Sequence, residues 1–127
     1  MTRVTETTDG IAVSVQPMFV EERSDMVRGL FFFAYFITIS NSGTAAVQLL
    51  KRRWNIRDSA GPDYEVGGEG VVGRQPVIQA GGTHFYNSFC ILKSFEGSME
   101  GNYLMTHEDG SSFEVVIPKF HLRARCN

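Results

Sequence analysis

The sequence has too little cysteine for a disulfide framework. Its two cysteines, Cys90 in an apolar run and Cys126 beside the C-terminus, are too differently placed to read as one, and a reducing, cytoplasmic home is expected. Excess charge is lacking too: a net charge of −2 argues against a general nucleic-acid binder or a binder of anionic membranes. Residues 1–10 form a polar lead without an apolar signal core. The longest apolar stretch, Leu30 to Ile39, falls far short of the roughly twenty residues a membrane span needs. No window of a dozen residues carries a clean 3.6-residue apolar repeat, which excludes a helical fold. Catalytic groupings are also missing. His84, His107 and His121 lie in or next to separate predicted strands with no nucleophile motif nearby. The carboxylate pairs Glu21-Glu22 and Glu108-Asp109 fall in turns, where acids are ordinarily solvated. No pair of histidines or cysteines has a metal-ligand spacing. A non-enzymatic protein with no cofactor and no metal site is therefore expected.

What the chain does have is strand-and-turn punctuation, with thirteen glycines in 127 residues, a length that suits one domain ending in a short tail over 123–127. Ile11, Val13 and Val15 alternate with Ala12, Ser14 and Gln16 until Pro17 interrupts, the pattern of a strand at a sheet edge. In Leu30 to Ser40, Phe31, Phe33, Tyr35, Ile37 and Ile39 fall on one face and Phe32, Ala34, Phe36 and Thr38 on the other. A one-sided sheet does not need that second apolar face. Either a neighbouring loop covers it, or Phe32 and Phe36 belong to a patch that a partner uses. From Val47 to Arg57 the apolar phase changes near Leu50-Lys51, as at a bulge. Thr83 to Leu92 sets Tyr86, Ser88, Cys90 and Leu92 opposite Phe85, Phe89 and Ile91, and Glu108 to Ser111 is a hairpin turn into Phe113, Val115 and Ile117. About seven strands without crossover helices predict an all-β, two-sheet antiparallel sandwich, immunoglobulin-like or fibronectin type III-like. The absence of a Cys–Trp–Cys spacing favours the second.

One stretch has the letters of a chemical motif. Gly68, Gly70 and Gly73 spell G-x-G-x-x-G, yet no helix follows to present amides to a pyrophosphate: Pro76 and then Gly81-Gly82 stop one. The glycines serve either a connection between strands or an anion-binding loop of another kind, completed by Arg74 and the Arg52-Arg53 pair. Lys51, Arg52 and Arg53 beside Trp54 otherwise read as a solvated strand face.

Phe33-Ala34-Tyr35 with Ile37-Thr38-Ile39, Val47-Gln48-Leu49-Leu50 before Arg52-Arg53-Trp54, Glu65-Val66 with Gly68 to Pro76, and Met99 to Met105 with Ile117-Pro118 together resemble the ApaG family over residues 11–122. The resemblance implies a fibronectin type III-like sandwich, similar to a module of certain F-box proteins and of a polymerase-delta-interacting protein, where it is taken as a protein-interaction unit. It also implies a link to cobalt and magnesium homeostasis and, through a dinucleoside tetraphosphatase encoded beside bacterial members, a dinucleoside polyphosphate as a ligand to try. Phe89 and Ser94-Phe95 depart from the family pattern. The leading expectation is a binding module for another protein, or for a second copy as a homodimer, through Phe32, Phe36, Phe89 and Phe95. The alternative is a binder of pyrophosphate or a dinucleoside polyphosphate through Gly68, Gly70, Gly73, Arg74, Arg52 and Arg53.

Overall fold

A computed structural model describes residues 1–124. Strands β1 (Val4–Thr8), β2 (Ile11–Phe19), β3 (Phe31–Asn41), β4 (Val47–Asp58), β5 (Tyr64–Glu69), β6 (Val77–Ile78), β7 (Thr83–Leu92), β8 (Glu96–His107) and β9 (Ser112–Arg123) are joined by turns and one short 3-10 turn, Glu21–Arg23. They form two antiparallel sheets, one in the order β1-β2-β3-β7 and one in the order β5-β4-β8-β9, with β6 also paired to β4. The expected sandwich is thus present, with nine strands in place of about seven. The two additional strands are β1, in the polar lead, and β6, in the glycine-rich connection. Neither carries a periodic apolar signal, since β1 leaves its three central residues exposed and β6 is two residues long, although Ile78 is buried in the core and Val4 packs against it. Cys126 and most of the 123–127 tail lie outside the described residues.

The sheets bury their alternating inward sets. Val13, Val15, Phe33, Ile39, Leu49, Tyr103, Met105, Val115 and Leu122 are fully enclosed, so the odd-numbered β3 residues form the core as their periodicity predicts. At the centre Trp54 meets Tyr35 and Phe120 edge-on, and Tyr35 meets Phe120 at a tilt, with ring centroids 5.4 to 5.8 Å apart. The buried Asn41 fixes the turn into β4: its side-chain amide donates to the Ala45 and Ile78 carbonyls and accepts from the Gly43 amide.

Two irregularities re-aim the second sheet. Register shifts between Leu49 and Lys51, the bulge foreseen from the phase change, and again in β8–β9 between Met99 and Gly101. There β8 lies so close to β4 that a Cβ on Gly101 would sit 1.9 Å from the Arg53 carbonyl oxygen. One expectation is corrected. β2 is no edge strand over Ile11–Val15, where β1 pairs with it, and it becomes one only from Gln16, which is where Pro17 stands.

Candidate interaction face and inter-sheet cleft

Strand pairing brings most of the predicted aromatic patch together. On the outer face of the first sheet Met18 lies beside Ala34 and Phe89, Gln16 beside Phe36 and Asn87, Ser14 beside Thr38 and Phe85, and Phe32 beside Ile91. Phe36 is 45% exposed, Phe89 58% and Phe85 71%. Phe32 is half-buried because its ring stacks on Phe89 at 5.0 Å, under the Arg23 guanidinium at 5.5 Å. Phe95, although 55% exposed, sits in the bend after β7 and not in this register. Sequence reasoning left Phe85, Ile91 and Met18 out of the patch, yet the alternation in Thr83 to Leu92 already set Phe85 and Ile91 on the side of Phe89. Finding Met18 required the β2–β3 register.

Charge separates the two outer faces. Every outer position of the first sheet on β1, β2, β3 and β7, from Thr5 and Thr7 to Ile91, is uncharged. On the outer face of the second sheet stand Lys51, Arg53, Glu65, Glu69, Glu100 and Glu114. A solvated face of the usual kind is therefore present on one side only.

The glycine motif proves to be hairpin chemistry in its backbone. Gly68 lies in β5 opposite Arg52, and the Arg52 guanidinium packs flat over it, 3.0 Å from where a Cβ would be. Gly70 has φ +65°, and a Cβ there would meet the Arg74 carbonyl oxygen at 2.1 Å. Val71 and Arg74 exchange main-chain hydrogen bonds of 2.7 and 3.1 Å around Val72 (φ +48°) and Gly73 (φ +76°), a two-residue turn of type I′ geometry. The Gly70 amide donates to Leu50, so the amides of Gly70, Val71 and Arg74 are all committed inside the protein. Arg52 Nη1 donates to the Glu69 and Gly70 carbonyls, 3.1 and 2.9 Å away. Arg53, one residue along the strand, points to the opposite face. Arg74 lies near His84, whose pKa is held below its ordinary value by burial and then by that cation. Arg52 and Arg53 both border a hollow with Gly67, Gly68, Glu69 and Glu114, and Arg74 is not part of its lining.

Between the free edges of β5 and β7 the sandwich opens into a cleft of about 290 Å³, lined by Tyr35, Arg52, Trp54, Tyr64, Ser88 and Cys90 among others. The Tyr35 hydroxyl lies beside Ser88 and that of Tyr64 beside the Cys90 sulfur, while behind them the Tyr86 and Tyr103 hydroxyls bond to each other. Burial raises the pKa of all four phenols, and it pushes the Cys90 thiol up to about 11, so at neutral pH the sulfur carries its proton and is a poor nucleophile. Among the described residues no three of His, Cys, Asp and Glu cluster as metal ligands, and no helix is long and apolar enough to cross a membrane.

The ApaG domain profile matches residues 21–107. The chain belongs to the ApaG domain family. It is 50% identical over 115 residues to the protein ApaG of Methylobacterium nodulans, covering 91% of this chain and 88% of that one. To the protein ApaG of Anaeromyxobacter dehalogenans it is 45% identical over 118 residues, 93% of each chain. A crystal structure of a Bordetella pertussis protein named ApaA superposes with a TM-score of 0.86 at 41% identity, covering 89% of this chain and 92% of that one. The ApaG match runs from the 3-10 turn to the end of β8. It includes Phe32, Phe36, Phe85, Phe89 and Ile91 and the whole cleft lining, whereas Met18 lies before it.

Proposed function

We propose that this ApaG domain is a non-enzymatic protein-binding module whose docking surface is the outer face of the β1-β2-β3-β7 sheet. The observation that carries the reading is the concentration of Phe36, Phe85, Phe89 and Ile91, each 45% exposed or more, on a face whose strand positions are all uncharged, with the Arg23 guanidinium reaching over Phe32 from the adjoining turn. Leaving such rings in water costs free energy that a partner recovers on binding. Phenylalanine on a strand is also already ordered, so little side-chain entropy is lost at contact. The inertness of Cys90 and the spread of the three histidines over β7, β8 and β9 fit a protein that holds rather than transforms. Anion binding by the glycine loop has less support, since the amides it would use already have acceptors.

The test is retention of cell proteins on the immobilised domain, compared with the Phe85→Ser/Phe89→Ser variant. Proteins held by the wild type and lost by a folded variant support the docking face. Identical retention by the two refutes it.

A further inference from the structure

The same face ends at an open sheet edge, β7. Asn41 donates its amide to the Gly82 carbonyl and accepts from the Gly81 amide, while the Phe32 carbonyl accepts from Val20 on the other side. Odd-numbered β3 residues therefore bond toward β7 and even-numbered ones toward β2. Through the register Ile39↔His84, Ile37↔Tyr86 and Tyr35↔Ser88, the even-numbered β7 residues bond back to β3. Thr83, Phe85, Asn87, Phe89 and Ile91 are left directing their N–H and C=O groups off the edge. Among the described residues nothing pairs with them.

An open edge of ten residues is a hazard that proteins usually blunt with a lysine, a proline, a bulge or a short strand. β7 has none of these: Thr-His-Phe-Tyr-Asn-Ser-Phe-Cys-Ile-Leu carries no acid, lysine, arginine or proline and pairs without a register shift. The other strands at sheet edges are blunted, β1 by Glu6, β5 by Glu65 and Glu69, and β9 by Glu114, Lys119 and Pro118. Phe85 and Phe89 lie two residues to either side of Asn87. If two copies pair antiparallel with Asn87 opposite Asn87, Phe85 stands opposite Phe89 of the second copy, twice over, and Thr83 opposite Ile91. Each of these is a residue whose main chain faces outward, so side chains and hydrogen bonds agree on one register. No like charges meet across the two-fold, because the strand has none to meet.

We propose that β7 pairs with β7 of a second copy of this chain about a two-fold at Asn87, joining two four-stranded sheets into one of eight strands with a continuous apolar face. This rests on the reading of that face as a docking surface. Pairing over the strand supplies about ten main-chain hydrogen bonds, as many as an interface of ordinary size carries, and two aromatic cross-strand pairs.

The test is sedimentation of the purified full chain, with disulfide trapping in a Cys126→Ser background. Asn87→Cys brings two sulfurs together at Cα atoms about 5.5 Å apart and should yield a covalent dimer under mild oxidation. Thr83→Cys sets its two copies about 26 Å apart along the ladder and should yield none. Asn87→Pro removes an outward-facing N–H and no hydrogen bond to β3. It should weaken association about tenfold or more with the thermal unfolding of the monomer unchanged, and Phe89→Lys should do the same through the side chain. Equal trapping at positions 83 and 87, or a dimer indifferent to Asn87→Pro yet broken by Phe36→Lys, would overturn edge pairing in favour of face-to-face packing. A monomer that still retains a partner through Phe85 and Phe89 overturns self-pairing and leaves the docking face standing; a monomer that retains nothing overturns both.

Discussion

Replacing Asp58 by alanine should cost this domain about 3 kcal/mol at neutral pH, and the size follows from what the carboxylate holds. Asp58 is buried at the end of β4, where it accepts hydrogen bonds from the Lys93 amide at 2.6 Å, the Ser94 hydroxyl at 2.6 Å and the Ala60 amide at 3.1 Å. It thereby clasps the bend between β7 and β8 to the turn between β4 and β5. A hydrogen bond to a charged group contributes about 1.5–3 kcal/mol, and three sharing one carboxylate are not additive, so about 3 kcal/mol is the expected loss. In a domain of this size that lowers the melting temperature by about 10 °C. Burial alone would raise the Asp58 pKa, but the bonds from Ser94, Lys93 and Ala60 outweigh it and hold the group below its ordinary value. The unfolded chain therefore binds the proton more tightly than the folded one. The stabilisation is complete above the ordinary carboxylate range, about pH 4, and is lost as pH falls through the depressed folded value. Urea unfolding of wild type and Asp58→Ala across pH 7 to pH 2 measures this. The curves should stand apart at pH 7 and converge in acid. Asp58→Asn should not rescue, because in either orientation its amide nitrogen faces a backbone N–H, of Lys93 or of Ala60. Coincident curves at pH 7, or a gap that survives unchanged in acid, would refute the clasp.

Three further outcomes follow from the geometry. Val72→Asn should stabilise the fold by about 1 kcal/mol, because a β-branched residue at φ +48° is strained whereas asparagine before Gly73 is the preferred pair for this turn; chemical denaturation reads it directly. Gly101→Ala should destabilise by about 3 kcal/mol, since β8 must move away from the Arg53 carbonyl to admit a methyl group, and a gain in melting temperature would contradict the observed contact. The enclosed phenols of Tyr86 and Tyr103 should not ionise near pH 10 in the folded protein, as burial raises both. Stability is fully present below pH 10 and falls as the pH climbs beyond it, so the absorbance of their phenolates should rise together with alkaline unfolding rather than before it.

The sandwich was legible because its strongest signals are periodic. Five large residues at alternate positions from Phe31 to Ile39 admit only a strand with one buried face, and the shift of phase at Leu50 marks a real bulge. Strand β1 was not legible, for Thr5, Glu6 and Thr7 bury almost nothing and are placed by their pairing with β2. The same limit governs the face. Phe32, Phe36 and Phe89 were visible as surplus aromatics, but that Met18 joins them while Phe95 does not depends on register and on where β7 stops. The glycine motif misleads for a physical reason: a tight hairpin and a phosphate loop both demand positive φ and close backbone approach, and only the acceptors of the amides tell them apart.

The absence of charge from one face has a thermodynamic consequence. Contacts made through Phe36, Phe85 and Phe89 gain little from charge, so complexes formed there should depend only weakly on ionic strength where charge-guided complexes dissociate. Excluded salts such as sulfate should tighten them, and chilling should loosen them, since apolar hydration favours burial less in the cold. Their formation should carry a negative heat-capacity change, the mark of water leaving hydrocarbon.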